Sequence, residues 1–295
     1  MLLELLTVIA PVFICVALGY GWVRQGNPFP GHFISNMNMN VSVPCMVFAG
    51  LFKLDGQWAE MGTVIMASVL AIAIMFVASL LLALAFGRLS RGYLIALSST
   101  NCGNMGLSLC LFAFGDAGLA VGITYFAVST FLFFPLASLI AEGNFQLSKL
   151  FKIPIIYATL FAGGFMAMGV EPPRWLANTT TLIGGIAIPT MLLALGSSLA
   201  QIEAGQSLRL FMLSLSRMLL GTAVGLAVTS LFGLTGLTKG VIILQCSMPI
   251  AVFTYLLADR YHRQPRDVAT MVMMTTLISI GSIPLVLAFV LGMEG

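Results

Sequence analysis

A polar stretch at residues 98–108 lies in the middle of an otherwise apolar segment, residues 92–114. Its two asparagines can donate and accept hydrogen bonds, and its two central glycines let the backbone approach a ligand closely. Backbone that leaves helical geometry inside a bilayer must be buried in protein or line a cavity, because no water is there to satisfy its N–H and C=O groups. The sequence therefore predicts a substrate site in an interrupted helix. Its candidate binding residues are Asn101, Gly103, Asn104 and Gly106.

Another apolar segment, residues 238–258, also has a polar and interrupted centre. Pro249 lacks an N–H and clashes with the preceding turn, so the helix is predicted to break around Ser247 and Met248. Gln245 and Ser247 are its polar companions and further candidates for binding. Where two broken helices cross, the half-helix N-termini point N–H groups and positive dipole ends into one space, which favours a carboxylate. The alternative is that these residues only permit close helix packing.

Three more residues are candidates for lining this space: Asn40, Pro44 and Pro189. The two prolines could equally well only kink their helices, which membrane proteins tolerate. The alternating asparagines of the apolar segment at residues 33–52, namely Asn36, Asn38 and Asn40, cannot all share one helix face, and Asn40 is the one expected to face inward. Arg217 lies about a third of the way into its segment and is expected to snorkel to the cytoplasmic surface. Attraction of an anionic substrate is the alternative role for Arg217.

The composition indicates an integral membrane protein. Of the 295 residues, 59% are hydrophobic and 8% are charged, against about 25% charged residues in soluble proteins, and the mean hydropathy is +1.05. The first apolar segment lacks a basic leader and a small-residue cleavage site, so it is interpreted as a retained helix. Ten segments of roughly spanning length fit the chain: 2–23, 33–52, 59–86, 92–114, 117–141, 154–170, 176–200, 208–232, 238–258 and 268–291.

The two halves of the chain match each other at a nearly constant spacing. Pro44 matches Pro189 and Pro135 matches Pro284, while Ala17-Leu18-Gly19 matches Ala167-Met168-Gly169. The spacing predicts two five-helix repeats, residues 1–146 and 147–295. Because five is odd, the second repeat must enter the membrane from the opposite side, which makes the repeats inverted.

The distribution of charge predicts the orientation. Basic residues are concentrated in the odd-numbered loops, so these are assigned to the cytoplasm of a cell inner membrane, with both termini outside. The odd loops hold Arg24, Arg88, Arg91, Lys149, Lys152, Arg209, Arg260, Arg263 and Arg266, and the even loops hold Lys53, Arg174 and Lys239. All acidic residues fall near segment ends, which argues against proton antiport built on a buried carboxylate.

Catalytic, metal and cofactor chemistry find no support in the residue pattern. Ser98, Ser99 and Ser108 have no histidine or carboxylate partner within the apolar segments, so an intramembrane hydrolase is not favoured. The five cysteines lie in apolar segments without metal-ligand or disulfide spacing, and both histidines lie at segment ends. We therefore expect no enzyme activity, no metal and no cofactor.

The polar stretches resemble known motifs. Asn101-Cys102-Gly103-Asn104-Met105-Gly106-Leu107-Ser108, followed by Phe114-Gly115, resembles the fourth-helix motif of the auxin efflux carrier family in its bacterial branch. That family belongs to the superfamily of bile-acid, arsenite and riboflavin transporters. The ninth-helix motif is similar to Met248-Pro249-Ile250-Ala251 with Leu257-Ala258-Asp259-Arg260-Tyr261, and the last helix to Thr275-Thr276-Leu277 through Pro284.

The resemblance implies an all-α fold of ten helices with crossing, broken helices 4 and 9, as in bile-acid symporters and sodium/proton antiporters. It implies a scaffold domain of helices 1, 2, 6 and 7 and a transport domain of helices 3–5 and 8–10, with the crossover asparagine matched by Asn101. Ser108 departs from the pattern because the family usually has the crossover proline there, so the break is expected to rest on Gly103 and Gly106. The long cytoplasmic loop of the plant carriers is absent.

The function expected from this resemblance is export or exchange of small organic anions by alternating access: auxin in plants, and carboxylates such as malate or malonate in bacteria. A sodium-coupled symporter of the bile-acid type is the main rival, and a sensor that binds without transport is another. The expected partners are a small organic anion and the lipid bilayer, with coupling to sodium or protons left open. A homodimer is expected by analogy alone, and no nucleic acid is expected.

Overall fold

A computed structural model describes residues 2–52, 58–87, 90–143, 153–202, 205 and 207–292. The expected boundary between residues 146 and 147, and Lys53, Arg88, Lys149 and Lys152, lie outside the described residues. All regular structure within those ranges is helical: α1 (Leu2–Arg24), α2 (Gly31–Met37), α3 (Val43–Leu51), α4 (Trp58–Ala85), α5 (Arg91–Ser98), α6 (Leu107–Glu142), α7 (Pro154–Ala167), α8 (Arg174–Gly184), α9 (Ala187–Gln201), α10 (Leu208–Leu231), α11 (Gly236–Cys246), α12 (Phe253–Arg260) and α13 (Pro265–Leu291). Two π-helical turns, Asn38–Ser42 and Cys102–Gly106, precede α3 and α6.

Length and hydropathy make this a multi-pass membrane protein. Across the described ranges, six stretches are long and apolar enough to cross a bilayer: Leu5–Arg24, Met61–Ala85, Arg91–Ile140, Arg174–Gln201, Leu208–Leu231 and Pro265–Leu291. Large apolar side chains such as Leu182 and Leu285 lie more than 70% exposed on the surface, as expected for groups that face lipid. The prediction of an all-helical membrane protein is confirmed.

The longest apolar stretch, Arg91–Ile140, reverses direction at Gly115. Gly115 has φ 67° and ψ −159°, a conformation that favours glycine. A Cβ added at Gly122 would lie 3.1 Å from the sulfur of Cys110, although a straight helix would hold these residues about 18 Å apart. The chain therefore folds back at Gly115, which separates the residues predicted as the fourth and fifth apolar segments.

The helices pack as two groups. In one group α1 lies along α9, and α3 packs against α7 and α8. In the other, α4 and α10 pack on each other and on α6, α11 and α13. The closest approach in the first group is between Gly19 and Gly196, where an added Cβ would overlap the backbone oxygens of Leu193 and Val16, respectively. Small residues at such a crossing let two helix backbones meet without an intervening side chain.

Candidate functional site

The first interruption separates α5 from α6. Helix α5 ends at Ser98, and Ser99 is extended with φ −86° and ψ 153°. Asn101, at φ −80° and ψ 46°, then starts the π-helical turn Cys102–Gly106. The break lies at Ser99–Asn101 and not at the glycines that the sequence suggested, so that expectation was wrong. Gly106 itself is helical at φ −64° and ψ −46°.

The second interruption separates α11 from α12 and follows the sequence expectation, with Pro249 inside residues 247–252. Side chains of neighbouring helices satisfy the freed backbone groups, as burial in a membrane demands. The hydroxyl of Ser247 donates to the carbonyl oxygen of Ile243 at 2.8 Å and lies 3.0 Å from the hydroxyl of Thr222 on α10. The N–H of Ile250 donates to the hydroxyl of Thr275 on α13 at 3.2 Å.

The two interruptions are hydrogen-bonded to each other. The backbone N–H of Asn101 donates to the carbonyl oxygen of Pro249 at 2.7 Å. The N–H of Ala251 donates to the hydroxyl of Ser99 at 3.4 Å. These bonds join residues about half a chain apart, so the start of the π-helical turn and the start of α12 face the same space.

That space is a cavity of about 230 Å³. Its polar wall is the first interruption, comprising Ser99, Thr100, Asn101, Cys102, Gly103 and Asn104. Asn38 and Met39 of the second apolar segment also line the cavity, as do Ala194 and Ser198 of α9. Four phenylalanines contribute an aromatic wall: Phe126, Phe133, Phe134 and Phe253. The cavity therefore has both polar and aromatic lining, and it lies between the two groups of helices.

Asn101 combines a fixed backbone with an unsatisfied side chain. Its carbonyl oxygen accepts the N–H groups of Met105 at 3.3 Å and Gly106 at 3.0 Å. The side chain is only 3% exposed, and its amide nitrogen has no hydrogen-bond partner among the described residues. A buried polar group without a partner costs about 1–3 kcal/mol, which a ligand that accepts its hydrogen bond would recover.

The other candidate residues divide into two sets. Asn101, Gly103 and Asn104 line the cavity. Gly106, Gln245, Ser247 and Pro249 lie behind it and hold the crossing together. The amide nitrogen of Gln245 donates to the carbonyl oxygen of Gly122 at 3.3 Å. An added Cβ at Gly106 would overlap the amide oxygen of Gln245, so a larger residue there would displace the end of the Gln245 side chain.

The remaining candidates lie away from the cavity. Asn40 is exposed, and its amide nitrogen donates to the carbonyl oxygen of Asn36 at 2.8 Å. Pro44 borders a separate shallow groove next to Tyr157 and Phe161. Pro189 is an exposed residue in the first turn of α9.

Asn38, rather than Asn40, is the asparagine that the second apolar segment presents to the cavity. Its side-chain amide oxygen lies 2.9 Å from the hydroxyl of Thr190, which also lies 2.6 Å from the carbonyl oxygen of Ile186. Asn38 begins a π-helical turn, and the extra residue in such a turn shifts the helix face that follows. The sequence pattern could not reveal Asn38, because a π-helical turn has no compositional signature as clear as a proline.

Arg217 is buried and does not snorkel, so that expectation was wrong. Its side chain is 0% exposed. Nε donates to the carbonyl oxygen of Leu97 at 2.5 Å, and one terminal nitrogen donates to that of Ser99 at 2.7 Å. These carbonyls end α5, so the guanidinium has partners inside the protein and no need of the membrane surface. In the described ranges, no group of three His, Cys, Asp or Glu side chains is placed to hold a metal ion.

Comparison with known proteins gives two matches. Residues 135–287, just over half of the chain, match the family described as "Membrane transport protein". The chain is also similar to a protein named "Uncharacterized transporter" from Methanothermobacter thermautotrophicus. The two are 24% identical over 264 residues, which cover 85% of this chain and 86% of that relative.

Proposed function

The chain belongs to this membrane transport protein family, the auxin efflux carrier family, whose members are transporters and not enzymes, and from that premise we propose that it moves small organic anions, in particular carboxylates, by alternating access. The anion is held in the cavity where the α5–α6 and α11–α12 interruptions cross. The observation that carries the proposal is the unpartnered amide of Asn101 beside two half-helix starts.

An anion suits this cavity for electrostatic reasons. The first N–H groups of a helix have no intrahelical partner, and the N-terminus carries about half a positive charge. Two such ends, at Cys102 and Phe253, border the cavity. None of the described residues that line it is charged, so no carboxylate competes for these donors. The phenylalanines that line the cavity would pack against the carbon chain or ring of the acid.

The two groups of helices support a division into moving parts. We assign α1, α2–α3 and α7–α9 to the scaffold domain, and α4–α6 and α10–α13 to the transport domain. We also assign two repeats, residues 1–146 and 147–295. Each repeat has five spans, and the second repeat is inverted in the membrane relative to the first. The cavity lies between the two domains, and a shift of one against the other would change which side of the membrane it faces.

The orientation is part of the proposal. The wall of the cavity continues along Phe133 and Phe134 of α6 and Leu256 of α12. Helix α12 leads to Arg260, Arg263 and Arg266, which belong to the basic side of the molecule. By the positive-inside rule this side is cytoplasmic. The protein then lies in the cell inner membrane with both termini outside, and we expect the cavity to open towards the cytoplasm.

Uptake by proteoliposomes tests the proposal. Labelled malonate, malate and indole acetate would be offered separately, each with and without a sodium gradient, and protein-free liposomes would measure leakage. We expect saturable uptake of at least one of these acids. Uptake that needs the sodium gradient would favour the symporter of the bile-acid type. Binding without flux would favour a sensor, and the absence of both binding and flux for every acid would contradict the assignment to organic anions.

Asn38 provides a separate prediction about the scaffold side of the cavity. Asn38→Ala removes an amide that lines the cavity and lies next to the hydroxyl of Thr190. We expect KM for the transported acid to rise about fivefold, the loss of roughly one neutral hydrogen bond. Thr190→Val is expected to give a smaller rise, because it only frees the amide to rotate.

The matched control is Asn40→Ala, which removes an exposed asparagine two residues away. Its KM should equal that of the parent in the same transport assay. Equal effects of Asn38→Ala and Asn40→Ala would contradict the assignment of Asn38 to the site.

A further inference from the structure

Arg217 is a cation buried within a membrane-spanning helix without an acidic partner. It lies near the middle of α10 and is fully buried. Within the described part of the chain it forms no ion pair with a carboxylate, and its hydrogen bonds go to backbone oxygens. A charged group in the membrane interior is costly and usually marks a functional pathway. Packing alone gives no reason to keep a guanidinium here.

The contacts of Arg217 are concentrated on the broken end of α5. The last carbonyls of a helix have no intrahelical partner and carry its negative dipole end. Arg217 binds the carbonyl oxygens of Leu97 and Ser99, and the hydroxyl of Ser79 adds a third bond, to Leu97, at 2.9 Å. A positive charge therefore offsets a negative helix end right behind the cavity.

The broken end of α11 receives its hydrogen bonds from neutral donors, unlike the end of α5. Its carbonyl at Ile243 receives bonds from the N–H and hydroxyl of Ser247, and both groups are neutral. The nitrogen Nη1 of Arg217 has no partner among the described residues. It lies beside Gly221, where an added Cβ would also overlap the carbonyl oxygen of Cys246, the last residue of α11. One guanidinium thus lies between two half-helix ends.

Ser99 connects Arg217 to the rest of the crossing. Its carbonyl oxygen accepts from Arg217, and its hydroxyl accepts from the N–H of Ala251 ahead of α12. Ser99 also lines the cavity, two residues before Asn101. A change at Arg217 would therefore reach both interrupted stretches through one residue.

We infer that Arg217 is a positioning residue that fixes the crossing and supplies the positive potential of the anion site through the end of α5. This inference rests on the proposed function, because it assigns the source of the site's preference for anions. The guanidinium does not touch the substrate. It cancels the negative dipole end of α5, so that the positive starts of the π-helical turn and α12 dominate the field in the cavity.

The test compares an acid with its neutral amide. In the parent, the transported acid should inhibit uptake at a concentration at least about tenfold lower than its primary amide does. Arg217→Gln should raise the inhibitory concentration of the acid about tenfold and that of the amide little, so that discrimination is lost. Arg217→Lys keeps the charge but not the planar fork, and it should restore most of the discrimination.

The control is Arg209→Gln, which removes a charge from the exposed start of the same helix. It should leave the ratio of acid to amide unchanged. The inference would be overturned if a folded Arg217→Gln protein still discriminated fully between the acid and the amide. It would also be overturned if the parent transported the acid but its uptake were inhibited equally by both compounds. If Arg217→Gln does not fold, the ratio of the inhibitory concentrations of amide and acid is compared between Arg217→Lys and the parent. A parent-like ratio in Arg217→Lys supports the role of the charge, and loss of the ratio overturns the inference. A parent that moves no anion would instead contradict the proposed function.

Discussion

Asn101→Ala is expected to abolish measurable uptake of the transported acid, or to raise its KM about tenfold to a hundredfold, while the protein stays folded. A hydrogen bond to a charged group contributes about 1.5–3 kcal/mol, which corresponds to that range in affinity. The substitution removes only the side-chain amide, whose nitrogen has no protein partner among the described residues. The measurement is the concentration dependence of uptake by proteoliposomes.

The fold should survive this substitution because the structural contacts of Asn101 come from its backbone. Its N–H still donates to Pro249, and its carbonyl oxygen still accepts from Met105 and Gly106. Asn101→Asp is expected to be more severe in transport, since it places a carboxylate of the same shape against the substrate's own charge. Parent-like uptake by a folded Asn101→Ala protein would return Asn101 to the role of a packing residue.

Gly19→Val is expected to lower the apparent melting temperature of the purified protein by about 5 °C or more. Helices α1 and α9 meet backbone to backbone at this position, and an added Cβ would overlap the carbonyl oxygen of Leu193. Forcing extra atoms into a packed contact typically costs about 1–3 kcal/mol, which shifts the midpoint by several degrees in a chain of this size. Thermal unfolding in detergent, followed by loss of the monodisperse peak, measures the effect.

Gly21→Val is the matched control for this prediction. It lies two residues further along the same helix, and no atom lies within 4 Å of an added Cβ there. Both variants introduce the same β-branched residue into the same helix, so the helix-propensity terms cancel. A melting temperature within about a degree of the parent is expected for Gly21→Val. Equal destabilisation by the two variants would contradict the close crossing of α1 and α9.

Hydropathy and proline chemistry explain what the sequence could predict. The apolar segments are visible because a membrane helix needs about 20 apolar residues, and all regular structure in the described ranges is helical. The second interruption was predictable because Pro249 removes a hydrogen-bond donor and excludes a regular turn. Asn101 and Asn104 were visible as amides in apolar surroundings, and both line the cavity.

The position of the first interruption and the role of Asn38 could not be predicted from the local sequence. The break at Ser99–Asn101 contains no proline or glycine. It is stabilised by hydrogen bonds from Arg217 and Ala251 and by a bond to the carbonyl oxygen of Pro249, all from other parts of the chain. The π-helical turn at Asn38–Ser42 likewise changes which asparagine faces inward. Such partners lie far away in sequence, so the pattern around each residue could not indicate them.

The location of the Arg217 side chain could not be predicted from the local sequence either. Its depth within an apolar segment suggested a side chain that reaches for the membrane surface. Its partners are the carbonyls of Leu97 and Ser99, which are free only because α5 ends there. The expectation failed because it treated the segment alone, whereas the broken helix beside it provides an internal site for a cation.

A structure of the protein with a transported acid bound would test the central claim most directly. The account predicts the carboxylate in the cavity at the crossing, within hydrogen-bond distance of the Asn101 amide and the first N–H groups of the π-helical turn Cys102–Gly106, with the rest of the acid against the phenylalanines. An acid bound elsewhere, for example in the groove beside Pro44 and Phe161, with the crossing cavity unchanged, would contradict it.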